Sequence, residues 1–565
     1  MTASRTLSRV AALRAPGWTG ARRWPDRVGL ALASTFLGAS MTPSLVPRGW
    51  LIQAVVSGIV AAAGYSLGVL TGFLWRRLGA PGIDPGVQRV AWVLLLVGGP
   101  LGVLVMTVLG ARWQHELRAL MGLGPPAAWW QPAALVAGLG LAVLLVLLGR
   151  GLRWGARRVS ALLRRWLSPE TARVLGAVLT ALLVLGILDG IVVRALFAVA
   201  DQTFRVSDRT VTADLSPPTS GLRSGSPSSL VAWETLGSQG RAFVTGGPTE
   251  RELAAFSRGP VTPPIRVYAG LSSRARVRDR AALVVAELER TGAFERAVLC
   301  VMTTTGTGWI DPAAASALEH LWAGDTALAT MQYSYLPSWV SFLVDGSRAA
   351  EAGRVLFEAI SERWSQLPET DRPRLLVFGE SLGADGSEAA FSGVADLRNR
   401  TDGVLWVGPP NFSRLWSSFV ERRDPGTPQH LPIYDGGATV RFASHPDDLR
   451  RPATPWYPPR VAYLQHASDP VVWWSPRLLL RRPDWLAEPP GRDVHPAVRW
   501  VPLVTFAQVT GDLVNAQRAP VGHGHRYGPM LADAWAAIAP PPGWSDADTE
   551  RLRGLIAAEV AAAEG

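Results

Sequence analysis

Five residues, Gly379-Glu380-Ser381-Leu382-Gly383, form a GxSxG sequence directly after the apolar run RLLVF and directly before a helical pattern. A serine in such a strand-to-helix elbow is held in a sharp turn with its hydroxyl exposed, and the small residues around it let the turn close. The chemistry this allows is nucleophilic attack on an acyl carbonyl. A bare GxSxG arises easily in a chain with 57 glycines, so the flanking strand and helix carry the argument. Ser381 is the candidate nucleophile.

A serine hydroxyl needs a base to take its proton and an acid to orient that base, in the chain order serine, acid, histidine for this kind of elbow. The run RVAYLQ ends in His466-Ala467-Ser468-Asp469-Pro470. Asp469 therefore falls just past a strand's carboxyl end, where a parallel sheet keeps its site. Asp447 and Asp448 follow another apolar run, TVRFA, and are the alternative acids. Of eight histidines, the last two lie in Val521-Gly522-His523-Gly524-His525, ahead of a helical pattern over Pro529 to Ile538. His523 is the favoured base; His525 is the alternative, or a group on the substrate side. His445 and His466 read as hydrogen-bonded loop residues. The tetrahedral intermediate needs two N–H donors. The amide of Leu382 is one, and Thr305 or Gly306 in TTTGTGW is the other. Trp309, Trp339, Trp473 and Trp474 stand near these loops and fit an acyl pocket or a core equally well.

The elements that must position these residues lie in the second half of the chain. IRVYAGL, AVLCVM, ALATMQYSY and RLLVFG alternate with helical patterns over Arg278 to Glu289, Ala313 to Trp322, Ala349 to Trp364 and Leu382 to Leu397. GVLWVG, TVRFA and RVAYLQ follow. Apolar strands alternating with helices predict a mostly parallel sheet covered on both faces.

At 565 residues the chain exceeds one ordinary domain, and a mean hydropathy of +0.15 is unusual beside 56 basic residues. Five stretches are apolar enough to span a bilayer: Val28 to Val46, Leu51 to Trp75, Val90 to Leu109, Pro132 to Leu148 and Val174 to Val193. Trp50, Trp75, Trp92, Trp129 and Trp130 lie near their ends, at headgroup level. The expected organisation is an Arg-rich cytoplasmic tail (1–27), a membrane domain (28–200), a Ser/Pro/Gly-rich linker (201–264) and a catalytic domain (265–565). The basic residues are all arginine. Sixteen of them flank the tail side of the spans, including Arg22, Arg23, Arg76, Arg77, Arg157 and Arg158; only Arg48, Arg112 and Arg118 flank the other. Positive flanks stay cytoplasmic, so an odd span count puts the catalytic domain outside. The net charge of +11 then belongs to membrane topology and not to a nucleic-acid partner. Asp189 and Arg194 read as interfacial residues.

One cysteine, Cys300, excludes an intrachain disulfide, a thiolate metal cage and a CxxC redox pair. It reads as a buried thiol in a strand. There is no HExxH, and without lysine no phosphate-cradling GxxxxGK[ST] is possible. Neither a metal nor a cofactor is expected.

The strings MTPSLVPRGW and GYSLG, followed by TTTGTGWIDP, QYSYLPSWVSFLVD, GESLGADG, YLQHASDPVVWW and GHGHRYGP, resemble the membrane-bound α/β-hydrolase-like family of high-GC bacteria. That resemblance spans nearly the whole chain. It implies an extracytoplasmic or membrane-surface hydrolase; with the spans and strands above, the expected fold is a multi-span α-helical membrane domain followed by an α/β-hydrolase domain, in a multi-pass protein of the cell membrane. The combined expectation is a serine esterase, lipase or acyltransferase whose partners are the lipid bilayer and an ester or lipid-like substrate. The competing class is a transporter or scaffold with a hydrolase-like but non-catalytic outer domain. Few intramembrane charges speak against transport, and the serine, acid and histidine set speaks against lost catalysis.

Overall fold

The computed structural model describes residues 26–78, 85–186, 215–336 and 346–564. The apolar runs of the first part form five helices: α1 (Arg27–Ser40), α2 (Trp50–Arg77), α3 (Pro85–Leu120), α4 (Trp130–Leu163) and α5 (Pro169–Gly186). Three segments are long and apolar enough to cross a membrane: Trp50–Trp75, Arg89–Leu120 and Trp130–Leu163. The expected count of five is therefore not reached among the described residues. The first expected span contains a helix of only 14 residues, about 21 Å at 1.5 Å per residue against a hydrocarbon core of ~30 Å. It ends because Thr42-Pro43 and Pro47 break the pattern. The fifth is described only to Gly186; its remainder, with Asp189 and Arg194, lies outside the described residues, as do the N-terminal arginines before Asp26.

From Ile265 onward seven strands form one sheet. They are β1 (Ile265–Ala269), β2 (Val298–Thr303), β3 (Thr326–Met331), β4 (Arg374–Glu380), β5 (Gly403–Val407), β6 (Val440–Ala443) and β7 (Arg460–Leu464), in the order β1-β3-β2-β4-β5-β7-β6. Every neighbouring pair is parallel. Apart from Arg374 and Arg460, which begin their strands, every strand residue is buried. Such near-continuous apolar strands belong to a sheet covered on both faces. The covering helices are α6 (Gly237–Thr245), α7 (Glu250–Phe256), α8 (Val277–Arg290), α9 (Pro312–Leu321), α10 (Gly346–Ser365), α11 (Leu382–Glu388), α12 (Val394–Arg400), α13 (Arg414–Glu421), α14 (Val504–Leu513), α15 (Met530–Ile538) and α16 (Asp546–Glu564).

Two local expectations differ. The helix expected over Leu382 to Leu397 is broken into α11 and α12. Phe391 turns into the core at the break, and the Ser392 amide donates to Asp396 at 2.8 Å. The described part of the expected linker is packed structure: Val231, Leu236 and Val244 are buried in the sheet domain's core, and Arg223 bridges in parallel to Arg266 at the β1 edge. With Phe243 that makes four scattered apolar residues, and their irregular spacing was hidden by the polar composition around them.

The helical part and the sheet domain meet at the connection 41–49. Asp512 of α14 accepts from the Leu45 amide at 3.0 Å and from the Ser44 hydroxyl, and stands 3.5 Å from the Arg48 Nε. The Gln508 side-chain amide donates to the Thr42 carbonyl at 3.0 Å. Glu116 near the end of α3 reaches His495 at 3.0 Å.

Candidate active site

Register brings four strand ends into line: Thr303 pairs with Gly379, Glu380 with Val407, and Val407 with Leu464. The loops that follow carry the chemistry. Ser381 is the residue between β4 and α11, with φ 54° and ψ −127°. A non-glycine residue there costs about 1–3 kcal/mol and persists only when its surroundings impose it. They do so on both sides. The Ser381 amide donates to the Val407 carbonyl at 2.9 Å. A Cβ on Gly379 would overlap the Gly383 carbonyl, and a Cβ on Gly383 would overlap that of Thr303. Both glycines of the pattern are thus required by close backbone approach, and the serine sits at the tight point between them.

Asp469 caps the single turn that begins at Pro470, accepting the Val471 amide at 2.8 Å through Oδ1. Its Oδ2 takes two further bonds, from Nδ1 of His525 at 2.7 Å and from the Tyr527 hydroxyl at 2.7 Å. All three side chains are buried. Gly408, just past β5, has φ 50°, and any Cβ there would overlap the His525 ring. The Nε2 of His525 is buried with no hydrogen-bond partner and lies 3.9 Å from Oε1 of Glu380, the residue before Ser381.

The favoured base of the sequence reading is elsewhere. His523 turns away to Asp493, at 3.8 Å, and it is His525 that meets Asp469. The reason is the backbone: Gly522 and Gly524 both have positive φ, so the two histidines leave the loop in different directions. Asp493 also holds the Ser468 hydroxyl, which accepts the Gly524 amide at 2.8 Å. His466 has its Nδ1 2.9 Å from the Gly524 carbonyl and stacks on Tyr527 at 4.3 Å; burial lowers its pKa. Together these groups clamp the loop that carries His525.

The alternative acids are not at the site. Asp447 is exposed beside His445, and Asp448 bonds to Ser444 and Arg492. Of the two expected oxyanion donors in the loop after β2, Thr305 is spent, because its amide donates to the Trp309 carbonyl at 3.0 Å. The amides of Gly306 and Leu382 have no partner among the described residues. Trp473 is core, packed against Trp416 and Trp485, while Trp474 is half-buried and bonds to Thr510 at 2.8 Å. Trp309 is half-buried, and Trp339 lies outside the described residues. Cys300 is buried in β2 as a free thiol, and burial raises its pKa.

Three features were not read from the sequence. Tyr527 was available in GHGHRYGP but carried no spacing signal. Gly408 is one glycine among many. Glu380 and Asp311 form the third: burial, followed by the nearby Asp311 charge, pushes the Glu380 carboxyl well above the ordinary carboxyl range.

Comparison with known proteins agrees with this geometry at the level of the family. A model described as an α/β-hydrolase family matches residues 265–552, and one described as the N-terminus of an α/β-hydrolase family matches residues 41–248. No curated protein and no solved structure matches the chain. With the first model covering all seven strands, the elbow and both histidines, the chain belongs to the α/β-hydrolase family.

Proposed function

We propose that the protein is a membrane-anchored serine hydrolase that cleaves an ester, or passes its acyl group to another alcohol, through an acyl-enzyme on Ser381. In this reading His525 is the general base and Asp469 orients it. Asp469 holds the Nδ1 proton, so Nε2 carries the lone pair that takes the Ser381 proton as Oγ attacks the carbonyl. The bond from Tyr527 fixes the carboxylate that does the orienting. The free amides of Leu382 and Gly306 are the donors for the oxyanion. The imidazolium then gives its proton to the leaving alcohol, and water or a second alcohol repeats the sequence in reverse to release the acyl group. The observation that carries this reading is the strained Ser381 backbone beside a buried histidine–aspartate pair with an empty Nε2.

A fluorophosphonate probe tests it, since such reagents react only with an activated serine. Wild-type protein is expected to label, and Ser381→Ala to stay unlabelled. Wild-type protein that stays dark, or a Ser381→Ala variant that labels equally, ends the hydrolase reading.

The membrane part of the proposal is supported by connectivity. Arg48 and Asp512 are in contact, so they share one side of the bilayer and the chain crosses it an even number of times between them. Helices α2, α3 and α4 supply three crossings, which leaves the fourth to α5. Glu116, near the end of α3, then lies on the same side as its partner His495. Among the arginines between α1 and the end of α5, that side carries only Arg48, Arg112 and Arg118, against ten on the other, which favours an extracytoplasmic catalytic domain. Tagging residue 565 for protease protection in intact cells checks this: a tag shielded from external protease reverses the topology.

A further inference from the structure

The two ends of α14 carry the two most exposed large apolar side chains among the described residues after position 214: Leu480, at 76%, and Val514, at 59%. Val514 follows the helix directly, and Leu480 is brought to its start by the Leu503 amide, which donates to the Leu479 carbonyl at 3.0 Å. Arg477 and Arg481 flank Leu480 and are exposed. The acids that follow them in the chain, Asp484 and Glu488, pair with Arg423, which leaves both guanidinium groups without a carboxylate among the described residues.

A single exposed leucine is ordinary on a surface that meets water. What sets this one apart is its place, because α14 lies against the membrane helices. A Cβ on Gly511 would stand 2.9 Å from Val56 Cγ2 and 3.1 Å from Ile52 Cγ2 of α2. Both residues belong to the apolar segment that begins at Trp50, about 3 and 9 Å along its axis for Ile52 and Val56 at 1.5 Å per residue. Trp50 pairs edge-on with Trp129 at 6.0 Å, as rings do at headgroup level. The headgroup zone of each leaflet is about 5–8 Å deep, so α14 lies within it. Beside this contact α2 turns Leu51, Val55 and Ile59 outward, and the surface continues onto an apolar helix face that suits lipid.

We propose that the two ends of α14 form a lipid-docking surface of the sheet domain: Leu480 and Val514 enter the leaflet beside α2, and Arg477 and Arg481 bind the phosphates of anionic phospholipids there. Apolar insertion and attraction between cations and anionic headgroups add in such elements, and the guanidinium fork matches phosphate. The surface adjoins the proposed site. Asp469 caps the turn that leads to Trp474 and Arg477, and the His525 amide donates to the carbonyl of Ala516, just past Val514, at 3.0 Å. Docking therefore holds both loops beside the leaflet. The proposal rests on the reading of α2, α3 and α4 as membrane spans.

The test uses the full-length protein in proteoliposomes of equal parts phosphatidylglycerol and phosphatidylcholine, with a fluorophore on a single cysteine in a Cys300→Ala background and nitroxide-bearing lipid as quencher. Quenching at Leu480→Cys is expected to exceed that at Tyr457→Cys, an exposed site before β7 at the opposite end of the sheet, by at least about threefold. Arg477→Gln with Arg481→Gln, or omission of phosphatidylglycerol, should lower quenching at Leu480→Cys by at least about twofold. Equal quenching at the two sites, or a signal at Leu480→Cys indifferent to both the arginines and the anionic lipid, overturns the proposal. So does a label there that is shielded from aqueous iodide yet untouched by the lipid quencher, which would mean that a protein covers the surface. Failure of the spanning reading is distinct: a label at Leu94→Cys, on the outward face of α3, then stays unquenched. If Leu94→Cys is quenched and Leu480→Cys is not, only the docking surface falls. All three labelled positions are exposed, so the substitutions remove little packing.

Discussion

The helical part and the sheet domain bury opposite surfaces. On α3 and α4, Val90, Leu94, Val97, Leu101, Leu144 and Leu148 are each more than half exposed, whereas in the sheet domain Trp406, Trp473 and Trp535 are essentially inaccessible. The contacts differ in kind as well. The helices approach through glycine: a Cβ on Gly68 would overlap the Val28 carbonyl, and one on Gly58 would lie 2.8 Å from the Leu141 Cβ. The sheet domain packs large rings, as in the stacked pair of Phe442 and Tyr463 at 4.9 Å. Small residues at helix contacts and apolar residues facing outward suit a hydrocarbon solvent, where nothing drives apolar side chains inward. Large apolar residues facing inward suit water. A chain that holds both patterns needs a joint, and the connection 41–49 against α14 is that joint.

The largest expected effect sharpens the sheet side of this comparison. His525→Ala should lower ester turnover or labelling by about 10³–10⁴-fold, whereas His523→Ala stays within about tenfold; the reverse ranking would move the base to His523. At the joint, Arg48→Leu leaves Asp512 buried without its cation and should cost about 3–5 kcal/mol. Thermal unfolding in detergent measures this. An unchanged midpoint would mean that the two regions are not energetically joined there. On the helical side, Gly68→Val forces α1 from α2 and should cost about 1–3 kcal/mol, against less than about 0.5 kcal/mol for Leu94→Ala on the outward face. Equal losses for the two would break the inside-out picture.

The smallest effect is electrostatic and belongs to the sheet domain. Glu388 on α11 accepts from Leu415, Trp416 and Tyr463, yet burial, followed by the nearby Asp385, pushes it up to about 8 from an ordinary 4.5. Its folded pKa is above its unfolded one, so the folded state holds more protons between those values and stability falls as pH rises through that window. The unfolding temperature should decline from pH 5 to pH 8, and Glu388→Gln should flatten that decline. A slope that persists in the variant assigns it to other groups.

Much of the sheet was legible because its signals are local. Each of the seven apolar runs became a strand, and Gly379, Ser381 and Gly383 are covalent neighbours whose pattern already implies the elbow. The choice between His523 and His525 was not legible. They are two residues apart, and their divergence depends on the positive φ of Gly522 and Gly524 and on partners 30 to 56 residues away. The packed segment before β1 was missed for a similar reason: Leu236 and Val244 become core only because β1 lies beside them.

By itself the sequence determined the order of elements, the separation into an outward-apolar and an inward-apolar part, and the serine elbow, all of which follow from periodicity and turn chemistry within a few residues. The tertiary structure alone decided that His525 meets Asp469, that Thr305 spends its amide on its own turn, and that Asp512 is held by the connection 41–49. These are contacts between side chains whose separation along the chain carries no period, so only the packed fold brings them together.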